Sequence, residues 1–211
     1  MRSDRSRSSG FTLVETLLAM TLALAAGLAL YELLLAGRRS FTLQSDLAQT
    51  QSTGRALLEI LASDLRQAGY APFGVRPEAI PSGSATRVRR LADLNGNGTV
   101  SASTDPGEDV TYVFQDPDGD GRYDVLRGVD RDGDLDFTDT GDSVETIASD
   151  VVPIDTTGDA IPEPFLAYDR PPPATRQVSV AFGMRMPSRS VSTARGKVLD
   201  FRATLLLRNL P

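Results

Sequence analysis

The sequence predicts an α+β protein: a long N-terminal helix, apolar in its first half and amphipathic in its second, packed on a small antiparallel β-sheet with acidic loops. Three patterns predict it. Apolar residues dominate from Phe11 to Ala36. A polar stretch follows, with apolar or small residues recurring at steps of four and three as far as Ala68. Beyond it, three segments alternate apolar and polar residues at the period of a half-buried strand.

The first element is preceded by Met1 to Gly10, MRSDRSRSSG, which reads as a leader carrying Arg2, Arg5 and Arg7. The run from Phe11 to Ala36 then holds only two charges, Glu15 and Glu32. As a helix it extends about 39 Å at about 1.5 Å per residue, enough to cross a hydrocarbon core roughly 30 Å thick. The arginines place the leader in the cytoplasm, although Arg38 and Arg39 flank the other end. A secretory signal peptide would be cut near Ala23-Leu24-Ala25, but the apolar run continues well past that site. An ordinary single-pass anchor fits the length and leaves Glu15 unexplained, because a carboxylate in hydrocarbon costs roughly 2.5–3.5 kcal/mol unless it is paired. Glu32 reads as an interfacial residue reaching toward water.

After Gly37 the stripe Leu47, Gln51, Gly54, Leu58, Leu61, Leu65 and Ala68 marks an amphipathic helix, with Asp46, Arg55, Glu59, Asp64 and Arg66 mostly on the other side of the wheel. Gly69 is a natural stop, and Pro72 follows it. The stretch from Ala71 to Ala92 reads as loop with at most one short strand. Val110, Tyr112 and Phe114 define one strand; Val178, Val180, Phe182, Met184 and Met186 a second; Phe201, Ala203, Leu205 and Leu207 a third. The last two are expected to pair antiparallel across the polar loop from Pro187 to Lys197. The sheet is expected to cover Leu58, Leu61 and Leu65, since neither apolar face can stay wet. The divisions are therefore residues 1–10 as leader, 11–36 as membrane half of the helix, 37–70 as amphipathic half, and 71–211 as globular domain with acidic loops at 93–142.

Charge is segregated. Between Asp105 and Asp159, 15 Asp and 2 Glu face only Arg122, Arg127 and Arg131, a net −14 within a chain of −6, leaving +8 for the rest. Asp or Asn recurs at every second position in Asp93-Asn95-Asn97, in Asp116-Asp118-Asp120 and in Asp130-Asp132-Asp134-Asp136. Alternate oxygens let a short loop wrap a hard cation, and Gly98 and Gly121 stand where such a loop turns sharply. The pattern points to calcium, with Asp124 and Asp105 among the groups able to complete coordination. Thr104, Arg127 and Gly141 stand where an EF-hand has its bidentate Glu, so thrombospondin type 3 or dockerin-like loops are the better comparison. Solvated Asp-Gly turns are the competing reading.

The segment Gly10-Phe11-Thr12-Leu13-Val14-Glu15 resembles the type IV prepilin motif. The resemblance implies a pilin-like fold, cleavage between Gly10 and Phe11 by a prepilin peptidase, and methylation of the new N-terminal Phe11. It also implies pairing of Glu15 with the N-terminus of a neighbouring subunit in a filament, which gives the acid its partner. Asp64-Leu65-Arg66-Gln67-Ala68-Gly69-Tyr70 and the closing Leu205-Leu206-Leu207-Arg208-Asn209 resemble PilW-type minor pilins, and the first of these also J-class pseudopilins of type II secretion. The implied partners are other pilins or pseudopilins, the prepilin peptidase and the bacterial inner membrane, with the globular part periplasmic or on a surface filament.

Composition argues against an enzyme. With no His and no Cys, there is no imidazole base, thiolate nucleophile or disulfide framework, and no zinc site of the usual ligand types. A hydrolase built on paired Asp is the weakest alternative, because the acidic residues are spaced as a cation cage and bring no recognisable nucleophile. The arginines are scattered, so no nucleic-acid-binding face is evident. Outside the pilin family, the alternative is a single-pass anchored calcium-binding adhesion module.

Overall fold

Thr12 opens the helix by side-chain chemistry: its Oγ1 accepts the Glu15 N–H at 3.3 Å, and Thr-x-x-Glu is the sequence signature of a capped N-terminus. The computed structural model describes residues 12–102, 104–105, 107–129, 142–155, 157–187 and 197–210. Helix α1 runs Leu13–Gln67. It ends where Gly69 adopts a positive φ of 74°, which allows the Tyr70 N–H to reach the Gln67 carbonyl at 2.9 Å and the Gly69 N–H to reach Leu91 at 2.8 Å.

The chain forms two compact units, Met1–Ser45 and Asp46–Pro211. In the first, the described residues are helical from Leu13 onward, and large apolar side chains such as Leu13, Leu24 and Leu33 are exposed. The N-terminal part of α1 is long and apolar enough to cross a membrane.

The second unit joins the rest of α1 to a sheet of eight strands among the described residues: β1 Ser82–Gly83, β2 Arg87–Leu91, β3 Asp109–Gln115, β4 Tyr123–Val129, β5 Ser143–Val152, β6 Leu166–Tyr168, β7 Gln177–Arg185 and β8 Val198–Leu206. Every pairing is antiparallel, and β1 to β5 form a meander. β8 pairs with β7 along its whole length, from Gln177↔Leu206 to Arg185↔Val198. On the opposite edge of β7, β6 takes Val178 to Val180 and β5 takes Gly183 and Met184. The β4–β5 register shifts twice near Val125, and Asp150 on β5 has φ 60°; such irregularities bend a ladder and increase its twist.

The α+β expectation holds, and so does the pairing of the last two strands. The alternating residues Val110, Tyr112, Phe114, Val178, Val180, Phe182 and Met184 are all buried in one core with Leu57, Leu61, Leu65 and Ala68. Two expectations need correction. The buried face of α1 runs through Asp46, Thr50, Gly54, Leu57, Leu61, Ala62 and Leu65, so Gln51 is exposed and Leu58 half-buried where the sequence stripe had placed both inside. The helix turns Gly54 toward the ring of Phe201, which lies where a Cβ would be. The sheet is also larger than the three strands expected, and the segment between Ala71 and Ala92 supplies two strands, β1 and β2.

Candidate functional site

Gly10 and Phe11 lie outside the described residues. Glu15 sits in the first turn of α1 and, like Glu32, is exposed.

The loop joining β3 to β4 gathers Asp116, Asp118 and Asp120, with one oxygen of each within 4.8 Å of the others. Asp116 Oδ1 accepts the N–H groups of Gly119 and Asp120 at 2.8 and 3.2 Å, and its Oδ2 accepts that of Gly121 at 3.0 Å. Asp120 accepts the Arg122 N–H at 2.8 Å and its guanidinium at 3.2 Å, while Arg122 also reaches Asp150 at 3.2 Å. The cluster faces water: Asp118 and Asp120 are exposed and Asp116 is half-buried. Asp124 stands on β4 opposite Gln115, apart from the three.

The loop after β2 repeats this hydrogen-bond pattern. Asp93 accepts the N–H groups of Gly96 at 2.7 Å and Gly98 at 2.9 Å, and Asn97 accepts that of Thr99 at 2.8 Å. Asn95 accepts the Asn97 N–H at 2.8 Å. A third copy, which sequence reading missed, lies at Asp155 to Ile161. There Asp155 accepts the N–H groups of Gly158 and Ala160 at 2.6 and 2.7 Å, and Asp159 that of Ile161 at 2.9 Å. The N–H of Gly158, with those of Ala160 and Thr157, holds the Asp155 carboxyl below the usual carboxylate range. In all three loops the fourth and sixth residues have positive φ: Gly96 and Gly98, Gly119 and Gly121, Gly158 and Ala160. Thr157 stands where the other two loops have Asn95 and Asp118, and Ala160 where they have Gly98 and Gly121, so the alternation of Asp or Asn is broken in the third loop. Asp130, Asp132, Asp134 and Asp136 lie outside the described residues.

Beneath the sheet surface is a polar cluster that the sequence did not announce. Asp64 of α1 accepts the Tyr112 hydroxyl at 2.5 Å, the Arg127 Nε and Nη2 at 3.4 and 3.3 Å, and lies 3.6 Å from Arg90 Nη2. Arg127 Nε also reaches the Tyr112 oxygen at 3.2 Å. One carboxylate thus faces two guanidinium groups and a phenol. The expectation that Asp64 lies away from the packed face is corrected: its side chain is 17% exposed and Arg90's is 2% exposed. Burial holds Arg90 below the usual guanidinium range.

Burial, and then the hydrogen bond donated to Asp64, pushes the Tyr112 phenol well above its ordinary range; burial does the same to Tyr168, whose hydroxyl donates to the Arg87 carbonyl at 2.7 Å. Both phenols are thus more acidic in the unfolded chain. Their contribution to stability is fully present below about pH 10, the ordinary phenol value, and is lost as pH rises through the folded values. Alkaline titration of the phenolate absorbance should show a late component that Tyr112→Phe and Tyr168→Phe each reduce. Complete titration near pH 10 with the sheet still folded would contradict this assignment.

Comparison with family models, curated proteins and solved structures gives no match.

Proposed function

We propose that this chain is a prepilin-like structural subunit, resembling PilW-type minor pilins, that works by assembly. In this reading it inserts in the inner membrane with its N-terminus in the cytoplasm. A prepilin peptidase cuts it after Gly10, and it joins a type IV pilus or related filament, the pseudopilus of type II secretion included, through the first half of α1. The observation that carries the reading is Gly10-Phe11-Thr12-Leu13-Val14-Glu15 placed directly before an apolar stretch of membrane-spanning length. Cleavage there creates an α-ammonium on Phe11, and Glu15 lies one helical turn further on. Each is costly to bury alone, and each is the natural counter-charge of the other on a neighbouring subunit. A globular unit at the end of the same helix then travels with the filament.

Mass spectrometry of the mature N-terminus tests it. In a host with a prepilin peptidase the chain should begin at N-methylated Phe11; in a host without the enzyme, or as Gly10→Val, it should keep its leader. A mature chain that begins at Met1 in the presence of the peptidase, or near Ala23-Leu24-Ala25, rules the reading out.

A further inference from the structure

Two of the chain's three Asn residues stand directly before Gly, as Asn95-Gly96 and Asn97-Gly98 in the loop after β2. An Asn-Gly pair carries a reaction of its own. The Gly nitrogen loses its proton and bonds to the Asn Cγ, the Cγ–Nδ2 bond breaks, and ammonia leaves with that proton. Water then opens the succinimide ring to Asp or isoaspartate. Gly favours the ring closure because it has no Cβ to crowd it. The reaction needs a nitrogen whose lone pair can turn to Cγ, a side chain free to rotate, and an amide free to leave.

The folded loop withholds all three. The Gly96 N–H donates to Asp93 Oδ1 at 2.7 Å and the Gly98 N–H to Asp93 Oδ2 at 2.9 Å. Both nitrogens are therefore aimed at a carboxylate, and each would become an anion against its charge. Asp93 is 1% exposed, so water screens that repulsion little. Asn95 Oδ1 accepts the Asn97 N–H at 2.8 Å, and Asn97 Oδ1 accepts the Thr99 N–H and hydroxyl, each at 2.8 Å, which stops either side chain from rotating. Their Nδ2 groups donate to Asp105 at 2.7 and 3.3 Å respectively. The two pairs are not held equally. Asn95 also gives its N–H to Glu108 at 2.9 Å, and Gly96 lies against Pro72 and Phe73, whereas Gly98 has open space where a Cβ would stand.

We propose that Asn97-Gly98, and after it Asn95-Gly96, is a self-modification site that Asp93 and Asp105 hold closed in the folded loop, and that opening the loop commits it irreversibly. Conversion replaces an NH₂ that donates to Asp105 by a carboxylate that repels it. The modified loop cannot reclose around Asp105. The site does not depend on how the chain assembles.

The test incubates the full-length chain in detergent at neutral pH, with and without guanidinium chloride, and follows each Asn by mass spectrometry after digestion. Replacing NH₂ by OH changes the mass, whereas isomerisation at the Asp-Gly pairs of other loops does not. Folded wild type should convert Asn97 about tenfold or more slowly than the unfolded chain, the protection expected of hydrogen bonds to charged groups in a segment that opens locally. Asp93→Ala should remove most of that protection, with Asn97 converting before Asn95. Asp105 is half-buried, so Asp105→Ala, which should also speed conversion of both, keeps the test valid should Asp93→Ala fold poorly; circular dichroism verifies the fold of each. After conversion and refolding, hydrogen exchange at Gly96 and Gly98 should be faster than in the unmodified chain. Conversion as fast in folded as in unfolded wild type, conversion unchanged by both variants, or exchange unchanged after conversion overturns the proposal.

Discussion

Asp64→Ala is expected to destabilise the globular unit by about 3–5 kcal/mol, the usual consequence of removing one partner from a buried ion pair. Asp64 is the one carboxylate that α1 presents to Tyr112, Arg127 and Arg90. Without it, the 2%-exposed Arg90 side chain keeps its charge and loses its counter-ion, and its Nε and Nη1 already lack partners among the described residues. The Tyr112 hydroxyl loses its acceptor at the same time. With a urea slope of about 2 kcal/mol/M, the unfolding midpoint should fall by roughly 2 M, measured on the full-length chain in detergent by circular dichroism of the sheet. Asp64→Asn should fall between the two, because an amide oxygen still accepts from Tyr112 but neutralises nothing. A shift below about 0.5 kcal/mol for Asp64→Ala would place the residue with ordinary surface positions and remove the cluster as a helix-to-sheet lock.

The same cluster marks where the sequence stops being readable. The helix was legible almost to the residue, because a long apolar run with only two charges, a four-three stripe and Gly69 all act locally. β3, β7 and β8 were legible because Val110, Tyr112 and Phe114, and their counterparts later, alternate cleanly. β2 was not: Arg87-Val88-Arg89-Arg90-Leu91 looks like a surface segment until Asp109 takes up Arg89 and Asp64 approaches Arg90. Both partners are distant in sequence, and no local pattern announces them. β4 was obscured by Asp124 and Arg127, and β5 by its acidic residues and the register shifts in its pairing with β4. The rotation of the helix stripe has the same origin, since Asp46 and Thr50 face inward although their residue types argue for the outside. In the loops, spacing disclosed Asp93, Asn95 and Asn97 but not Glu108, which accepts the Leu94 and Asn95 N–H groups from the turn just before β3.

Glu15→Ala is expected to abolish incorporation into filaments while sparing membrane insertion and cleavage after Gly10, an outcome that rests on the prepilin reading. Truncating the carboxylate leaves the Phe11 ammonium of the neighbouring subunit without a counter-charge in hydrocarbon. At about 3–5 kcal/mol per joint, every addition becomes roughly 10²- to 4×10³-fold less favourable. The structure supplies a competing reason for the same residue. Thr12 Oγ1 accepts the Glu15 N–H at 3.3 Å, so Glu15 occupies the third helical position of a capping box and carries charge at the positive end of a helix. Glu15→Gln separates the two roles, since Gln serves in a capping box but carries no charge. If charge pairing drives assembly, Glu15→Gln should fail as Glu15→Ala does, whereas Thr12→Val, which removes the cap oxygen and keeps the carboxylate, should still assemble. The measurement is recovery of each variant in sheared filaments, with the membrane fraction as the control for insertion and the mature N-terminal mass as the control for cleavage. Filaments that accept Glu15→Gln as readily as wild type would assign the residue to helix capping and end the ion-pair account.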